Sequence, residues 1–485
     1  MSRSRQSLLT LLILISWDTA LAQSEASDFA RIGHAGFLAS VVTDYQCVGI
    51  NPANLGFVPT RDVYSFSTPL SSGSERSRKT FAVSLGEGGA SIRSDALSKS
   101  GMIDILLQRG SAVTFTEADK IAAAKAFAGK GLRFNLDIMP FAFAYQPESI
   151  GGFALSVRER VNGTVVLNEQ AAKLMFQGRH SDYFDSTALN WRGDTIGYAR
   201  NPQKFSKLFD GTILSMSCLR EFALSYGIQV FHDSSTSIYV GLTPKFLQSY
   251  AYLEARVAEG ALLAQSALSP YFAINYGKAT TPSAIMGTAL VPIGEGYGLD
   301  AGVTVKYQDW TFSGSIIDIG SITYNGNVFA AGDTVLNGLG SEGFDSYNLF
   351  EEAPKITGEG QYFRWEGLMS AQSELPMRLR FGTSWQQSKR WSYGLDCLIA
   401  LNSVAGSLQQ TLISGGVDYR PKDWLNVGMG LAHGASMGVT VPTSVMFSIL
   451  NGRWQIGLST LDIASIFSNT NPVVSAIFGV ARIRW

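Results

Sequence analysis

The chain has 485 residues, 38 Lys and Arg against 39 Asp and Glu, and a formal net charge of −1. That balance excludes the basic surface that nucleic-acid binding needs. Charged residues are only 16% of the chain, while Gly numbers 50 and aromatics reach 11%, a charge content below that of ordinary soluble domains.

The first 22 residues have the layout of an export signal. Arg3 and Arg5 are basic, residues 8–15 are apolar apart from Thr10, and Ala20-Leu21-Ala22 is an A-x-A cleavage site before Gln23. The apolar core is too short to span a membrane as a helix, and no Cys stands at the cut to carry a lipid. Further along, the best uncharged run, 261–277, is broken by Gln265, Ser266, Ser269 and Pro270. A bilayer admits only helices and closed barrels, because every backbone polar group must be paired internally. An exported, apolar, Gly-rich chain without spanning helices therefore points to a β-barrel. A large secreted β-protein is the competing class.

Residues 30–57 read A-R-I-G-H-A-G-F-L-A-S-V-V-T-D-Y-Q-C-V-G-I-N-P-A-N-L-G-F. The stretch is apolar and rich in small residues, and it alternates poorly. Pro52 fixes its own φ and pushes Asn51 toward an extended conformation, and the Asn side chain can close a local turn. We read 23–60 as a plug that folds into a barrel mouth. The plainer alternative is a first strand with a periplasmic tail.

From residue 61 the chain is a series of alternating segments about ten residues long, the length of a tilted transmembrane strand. In 299–307, Leu299, Ala301, Val303, Val305 and Tyr307 make an apolar face, and Asp300, Gly302, Thr304 and Lys306 a polar one. Met377, Leu379, Phe381 and Trp385 alternate with Arg378, Arg380, Gly382 and Ser384. Phe134, Leu136 and Ile138 share a face, and after Pro140 the register flips to Phe141, Phe143 and Tyr145, which predicts a bulge. Gly86 reads as a strand kink. Further strands are expected near 61–69, 79–92, 150–161, 217–231, 238–243, 309–324, 390–403, 411–420, 424–433, 440–450 and 452–463. The total is roughly 14–16. Residues 116–128 carry helix start and stop signals, 168–176 is a weaker helix candidate, and 325–360 reads as a long surface loop.

The last strand, 473–485, ends on Trp485. Counting back in twos gives Ile483, Ala481, Gly479 and Ile477 on a lipid-suited face, with Arg482 and Arg484 opposite. Trp485 and Ile483 are the expected membrane-assembly signal.

Chemistry-bearing patterns are sparse. Three Cys (Cys47, Cys218, Cys397) are too few for a disulfide framework, and no His/Cys/Asp spacing suits a metal. His232-Asp233-Ser234-Ser235 holds the residue types of a hydrolytic triad, but neighbours on a chain rarely meet the geometry. We therefore expect no enzyme activity, cofactor or metal. Asp300, Lys306, Arg378, Arg380, Arg482 and Arg484 are expected to face the lumen, either as a salt-bridged interior or as the polar end of a ligand path.

The run G-F-L-A-S…D…N-P-A-N-L-G, with Asp44, Asn51, Pro52 and Ala53, resembles the N-terminal hatch of the FadL/TodX long-chain fatty-acid transporter superfamily, which also includes the PorV-like barrels of type IX secretion. Y-G-L-D-A-G-V at 297–303, S-I-I-D-I-G-S-I at 315–322 and L-P-M-R-L at 375–379 look like a group of FadL-like barrels of Bacteroidota-type bacteria. The resemblance implies an all-β transmembrane antiparallel barrel of about 14 strands, with a signal peptide at 1–22, a hatch at 23–60 and the barrel at 61–485. It implies a channel for hydrophobic small molecules in the bacterial outer membrane. The partners it implies are outer-membrane lipids, the barrel assembly machinery and a hydrophobic ligand. The alternative is a structural or partner-binding barrel of a secretion or surface-attachment system.

Overall fold

The computed structural model describes residues 28–57, 80–99, 102, 114–147, 149–191, 193–258, 260–274, 276, 279–347, 352, 355, 362–407, 410–434, 438–467 and 473–485. The export signal at 1–22 and the strand expected at 61–69 lie outside the described residues.

Fourteen long strands form the wall: β1 Phe81–Ser94, β2 Lys130–Tyr145, β3 Gly152–Leu167, β4 Ile213–His232, β5 Thr236–Ala258, β6 Gly294–Tyr307, β7 Trp310–Tyr324, β8 Arg378–Gln386, β9 Trp391–Ala400, β10 Leu412–Lys422, β11 Leu425–Gly434, β12 Thr443–Ile449, β13 Trp454–Thr460 and β14 Val473–Arg484. Each pairs antiparallel with the next. β14 pairs back onto β1, with Ala82 opposite Arg484 and Val83 opposite Ile483. Closure leaves the long sheet without an edge. This is the all-β antiparallel barrel that the alternation predicts.

The two ends differ. At the end where Phe81 meets Trp485, the connections are short: 146–151, 233–235, 308–309, 387–390, 423–424 and 450–453. We call this the lower end. At the upper end four of the seven are long, 95–129, 168–212, 259–293 and 325–377, and the other three are 401–411, 435–442 and 461–472. Short turns on one side and long loops on the other are the habit of outer-membrane barrels. The His232–Ser235 stretch is one of the lower turns. Asp233 Oδ1 accepts from the backbone N of Ser235 and Thr236 at 2.8 and 2.7 Å, so it shapes a turn and builds no triad.

The upper connections build a cap. Helix α1, Glu117–Phe127, starts with a capping box at Thr116 and Asp119. Helix α2, Glu169–Gln177, is capped by Asn168. Both pack on Leu132, Val165 and Leu214, on the face opposite the lumen at the upper strand ends. The expectation of a long surface loop over 325–360 is corrected. Val328–Ala331 pairs with the strand Ala261–Leu268, and Leu336, Leu339 and Phe344 are core residues of the cap. Polar, Gly-rich composition hid these few apolar anchors.

The outer face follows the predicted two-residue period. Leu299, Val303 and Tyr307 are exposed while Asp300 and Thr304 are fully buried. Phe381 and Trp385 point out, Arg378 and Arg380 in. The register of β2 against β3 shifts between Ile138 and Phe141, the bulge expected at Pro140. Aromatics ring the lower end: Trp310 stacks on Trp385, Trp385 on Tyr393, Trp391 on Tyr419 and Trp424 on Phe447. An upper row is formed by Phe222, Phe246 and Tyr297. Directly above it, the cross-strand partners Glu159, Arg220, Gln248 and Glu295 make a polar row. Tyr297 and Tyr307 are ten residues apart on β6, about 25 Å in height on a tilted strand, which equals the apolar band of such barrels.

The terminal strand needs one correction. Trp485 and Ile483 do point outward, but further up Phe478 and Val480 are exposed while Ile477 is buried against Ile32 and Met446. The register of β13 against β14 shifts between Gln455 and Gly457, and β1 is kinked at Gly86 with φ +76°. The shift reverses the facing of everything above Ala481, and the Trp454 indole donates to the Val480 carbonyl there at 2.8 Å. Trp485 stacks on Phe81 at 5.6 Å and its backbone pairs with that residue. Trp485→Asp should therefore lower stability by about 1–3 kcal/mol and reduce the heat-modifiable barrel recovered in outer-membrane fractions. Unchanged recovery would refute the role of the terminal aromatic in assembly.

Candidate functional site in the barrel lumen

Residues 30–57 lie against the inward-facing side chains of the wall, and nearly all are buried. The turn at Asn51 opens a 3₁₀ helix, Pro52–Gly56, with Pro at its first position. Asn51 is fully buried. Its Oδ1 accepts from Ala53 N at 3.1 Å, and its Nδ2 donates to Thr304 Oγ1 at 2.9 Å. Asn54 binds the segment to itself, donating to the carbonyls of Ala39 and Val42, and accepts from Thr304 Oγ1 at 2.7 Å. Ser315 Oγ donates to Ile50 O at 2.6 Å. Asp44, with φ +50°, pairs with Arg482, and Arg484 Nε is 3.7 Å away. Lys306 lies over the Phe57 ring, 3.8 Å from its centroid.

Two wall carboxylates hold the front of the segment. Asp396 Oδ2 accepts from Leu38 N and Ala39 N at 2.9 and 3.1 Å, and Arg380 fixes that carboxylate at 2.7 Å. Asp418 accepts from Ala35 N at 3.1 Å and stands 2.6 Å from His34 Nδ1. Neither acid was singled out from the sequence. On the inward face Asp396 stands between Gly394 and Leu398 and Asp418 between Gly416 and Arg420, and only the register shows what each acid meets.

The seats themselves are glycines. A Cβ at Gly227, Gly241 or Gly302 would overlap the Asn51-Pro52-Ala53 turn or Leu55, and one at Gly416 would overlap Ala35 O. Backbone thus lies directly on backbone, an approach only glycine permits. On the remaining side, Leu38, Val42, Tyr45, Cys47 and Val48 pack on Met139, Ala142, Ala144, Ala154 and Ala223.

Above the seats is a buried charged network contributed by the wall alone. Lys245 Nζ is 2.8 Å from Asp300 and 2.7 Å from Asp318. Arg378 is 2.7 Å from Asp318, and Arg160 is 3.1 Å from Glu221 and 3.3 Å from Asp318. All six residues are at most 4% exposed. Three cations face three carboxylates, so the network is neutral. Asp318 reaches it through a bulge: the register shifts between Ile316 and Ile319, and Asp318 has φ +61°. Sequence reading named Asp300 and Arg378 and missed Arg160, Glu221, Lys245 and Asp318. Above the network Leu219, Leu247, Tyr252, Ile293, Ile322, Tyr324 and Leu375 form an apolar layer. Among the described residues no cluster of His, Cys, Asp and Glu is arranged to hold a metal.

A family model described as Family of unknown function (DUF5723) matches residues 74–449. No curated protein matches the chain. Among solved structures, the chain is similar to the Pseudomonas putida toluene transporter TodX, at 10% identity over 96% of this chain and 98% of that one, with a TM-score of 0.41. It is similar to a Pseudomonas aeruginosa FadL homologue, at 10% identity over 96% and 97%, TM-score 0.39. It is also similar to the Ralstonia pickettii toluene transporter TbuX, at 11% identity over 96% and 99%, TM-score 0.38. Likeness at these scores bears on none of the assignments above.

Proposed function

We propose that this chain, which belongs to the DUF5723 family of unknown function, is an outer-membrane β-barrel transporter for hydrophobic small molecules, with residues 30–57 as its hatch. The layering of the lumen supports this reading most. A solute that enters the lumen from the upper end meets the apolar layer of Leu219, Leu247, Tyr252 and Ile293. Six buried charges lie below part of it, and an apolar molecule gains nothing by entering them. The favourable route runs beside them, along the seam where Leu38, Val42 and Val48 touch the alanines of β2 to β4. The opposite side of the segment is held by hydrogen bonds to Thr304, Ser315, Asp396 and Asp418. A hatch held by these bonds, and at its lower end by Gln146 and Arg482, but packed by alanines along the seam opens at the seam.

Uptake of fatty acids and aromatic hydrocarbons into liposomes tests the proposal. Wild type should exceed an unrelated closed barrel. Asn51→Ala with Pro52→Ala, and deletion of 30–57, should each change uptake while the barrel still assembles. Wild-type uptake no greater than that of the closed barrel rejects the reading. A second reading then leads, a partner-binding barrel of a secretion or attachment system. It is favoured by the filled seat around the segment and by the large cap built on α1 and α2.

A further inference from the structure

We propose that Arg93 and Arg133 form an oxyanion-binding site in the upper lumen. The two are direct cross-strand partners on β1 and β2. Gly88 meets the outward Phe478 ring, so the alternating positions Glu87, Ser91 and Arg93 face the lumen. Arg133 shares its face with Asp137, which pairs with Arg158 at 2.7 Å. Arg133 is 4% exposed and Arg93 half-buried.

Like charges placed directly opposite destabilise a strand pair, and a buried cation without a counter-charge is costly. Deeper in the lumen the guanidiniums of Arg158, Arg160, Arg378, Arg380 and Arg482 each have a carboxylate. Among the described residues Arg93 and Arg133 have none within ion-pair distance. Arg93 Nε and Nη1 and Arg133 Nε are buried without a hydrogen-bond partner. Asp95, the acid nearest in the chain, attracts both from beyond ion-pair distance and accepts from Gly131 N at 2.7 Å. The same rung continues through Thr164 to Ser215, and the rung below pairs Ser91 with Asn135. Two guanidiniums side by side, bordered by hydroxyls and an amide, suit the oxygens of a carboxylate or phosphate. The bound anion supplies the contact ion pair that Asp95 does not make. This site goes beyond the transport reading, since binding needs only the folded barrel.

The test uses the full-length barrel in a neutral maltoside detergent, with binding measured by calorimetry and by the thermal unfolding midpoint. The probes are inorganic phosphate, dodecyl phosphate, dodecanoate and, as the uncharged control, dodecanol. At least one oxyanion should bind and raise the midpoint, and dodecanol should not. Arg133→Met and Arg93→Met should each weaken binding about tenfold or more, while Arg220→Met on the outer face leaves it unchanged. Binding of inorganic phosphate identifies a free anion, and binding of the dodecyl compounds alone identifies an amphiphile head group. Without a probe, Arg133→Met should unfold at the wild-type temperature or above, because it removes an unmatched buried charge. The proposal is overturned if no oxyanion binds wild type or if both variants bind like wild type. Arg93, being half-buried, keeps the test decisive should Arg133→Met not fold.

Discussion

Gly416→Val should eject residues 30–57 from the lumen while the wall stays closed. The substituted side chain has no space: its first carbon would overlap Ala35 O, with Met429 O also only 2.9 Å away. Both neighbours are backbone atoms of paired or buried chain, so neither yields as a flexible side chain would. Overpacking costs about 1–3 kcal/mol where neighbours can adjust, and this site belongs at the top of that range. The native thiol of Cys47 reports the outcome. It is fully buried and lies 3.0 Å from Asp44 O. Burial, and then the Asp44 charge, push it well above the usual thiol range, so in the seated segment it is protonated and unreactive. With Cys218 and Cys397 changed to serine, a maleimide should label Cys47 rapidly in the Gly416→Val protein and barely in the parent. Equal, slow labelling of a heat-modifiable barrel would show that the glycine seats do not hold the segment.

Asp318→Asn should cost about 3–5 kcal/mol, the usual penalty for leaving a buried charge without its partner. Asparagine keeps the shape and tolerates the left-handed φ of +61°, so the change removes charge alone. Three cations would then face only Glu221 and Asp300. Adding Lys245→Met restores the balance and should recover part of the loss, because each single change strands a charge that the double change does not. Urea unfolding of the four proteins in lipid vesicles measures the coupling. Additive losses would mean that the six groups are not one energetic unit.

The wall was largely legible because period-two alternation is a local signal, carried by residues such as Leu299 to Tyr307 without reference to any partner. The Asn51-Pro52-Ala53 turn was legible for the same reason. What the sequence concealed depends on register. S-I-I-D-I-G at 315–320 breaks alternation, and only the two-against-one pairing opposite Asp300 shows that Asp318 turns inward with Ile317. The terminal strand misled in the same way, since Ile477 and Gly479 continue the parity of Trp485 in sequence and lose it across a register shift. The seats at Gly227, Gly241, Gly302 and Gly416 looked like ordinary small residues on polar faces. Their meaning lies in the chain that crosses them, at least 171 residues away, the separation of Gly227 from Gly56.

One strand ties these levels together. β5 runs unbroken from Thr236 to Ala258. In order it carries the Gly241 seat, the Lys245 charge, Tyr252 of the apolar layer and Val257 of the cap core. It is hydrogen-bonded to neighbours on both sides except at a bulge at Tyr250, where its partner on one side changes from β6 to the strand Ala261–Leu268. A ribbon so braced has little freedom to stretch, and its bending is concentrated at that bulge. Cap and seat are therefore joined by one strand with a single joint between them, and a displacement along it arrives at the turn of Asn51 as a shift of the floor beneath it.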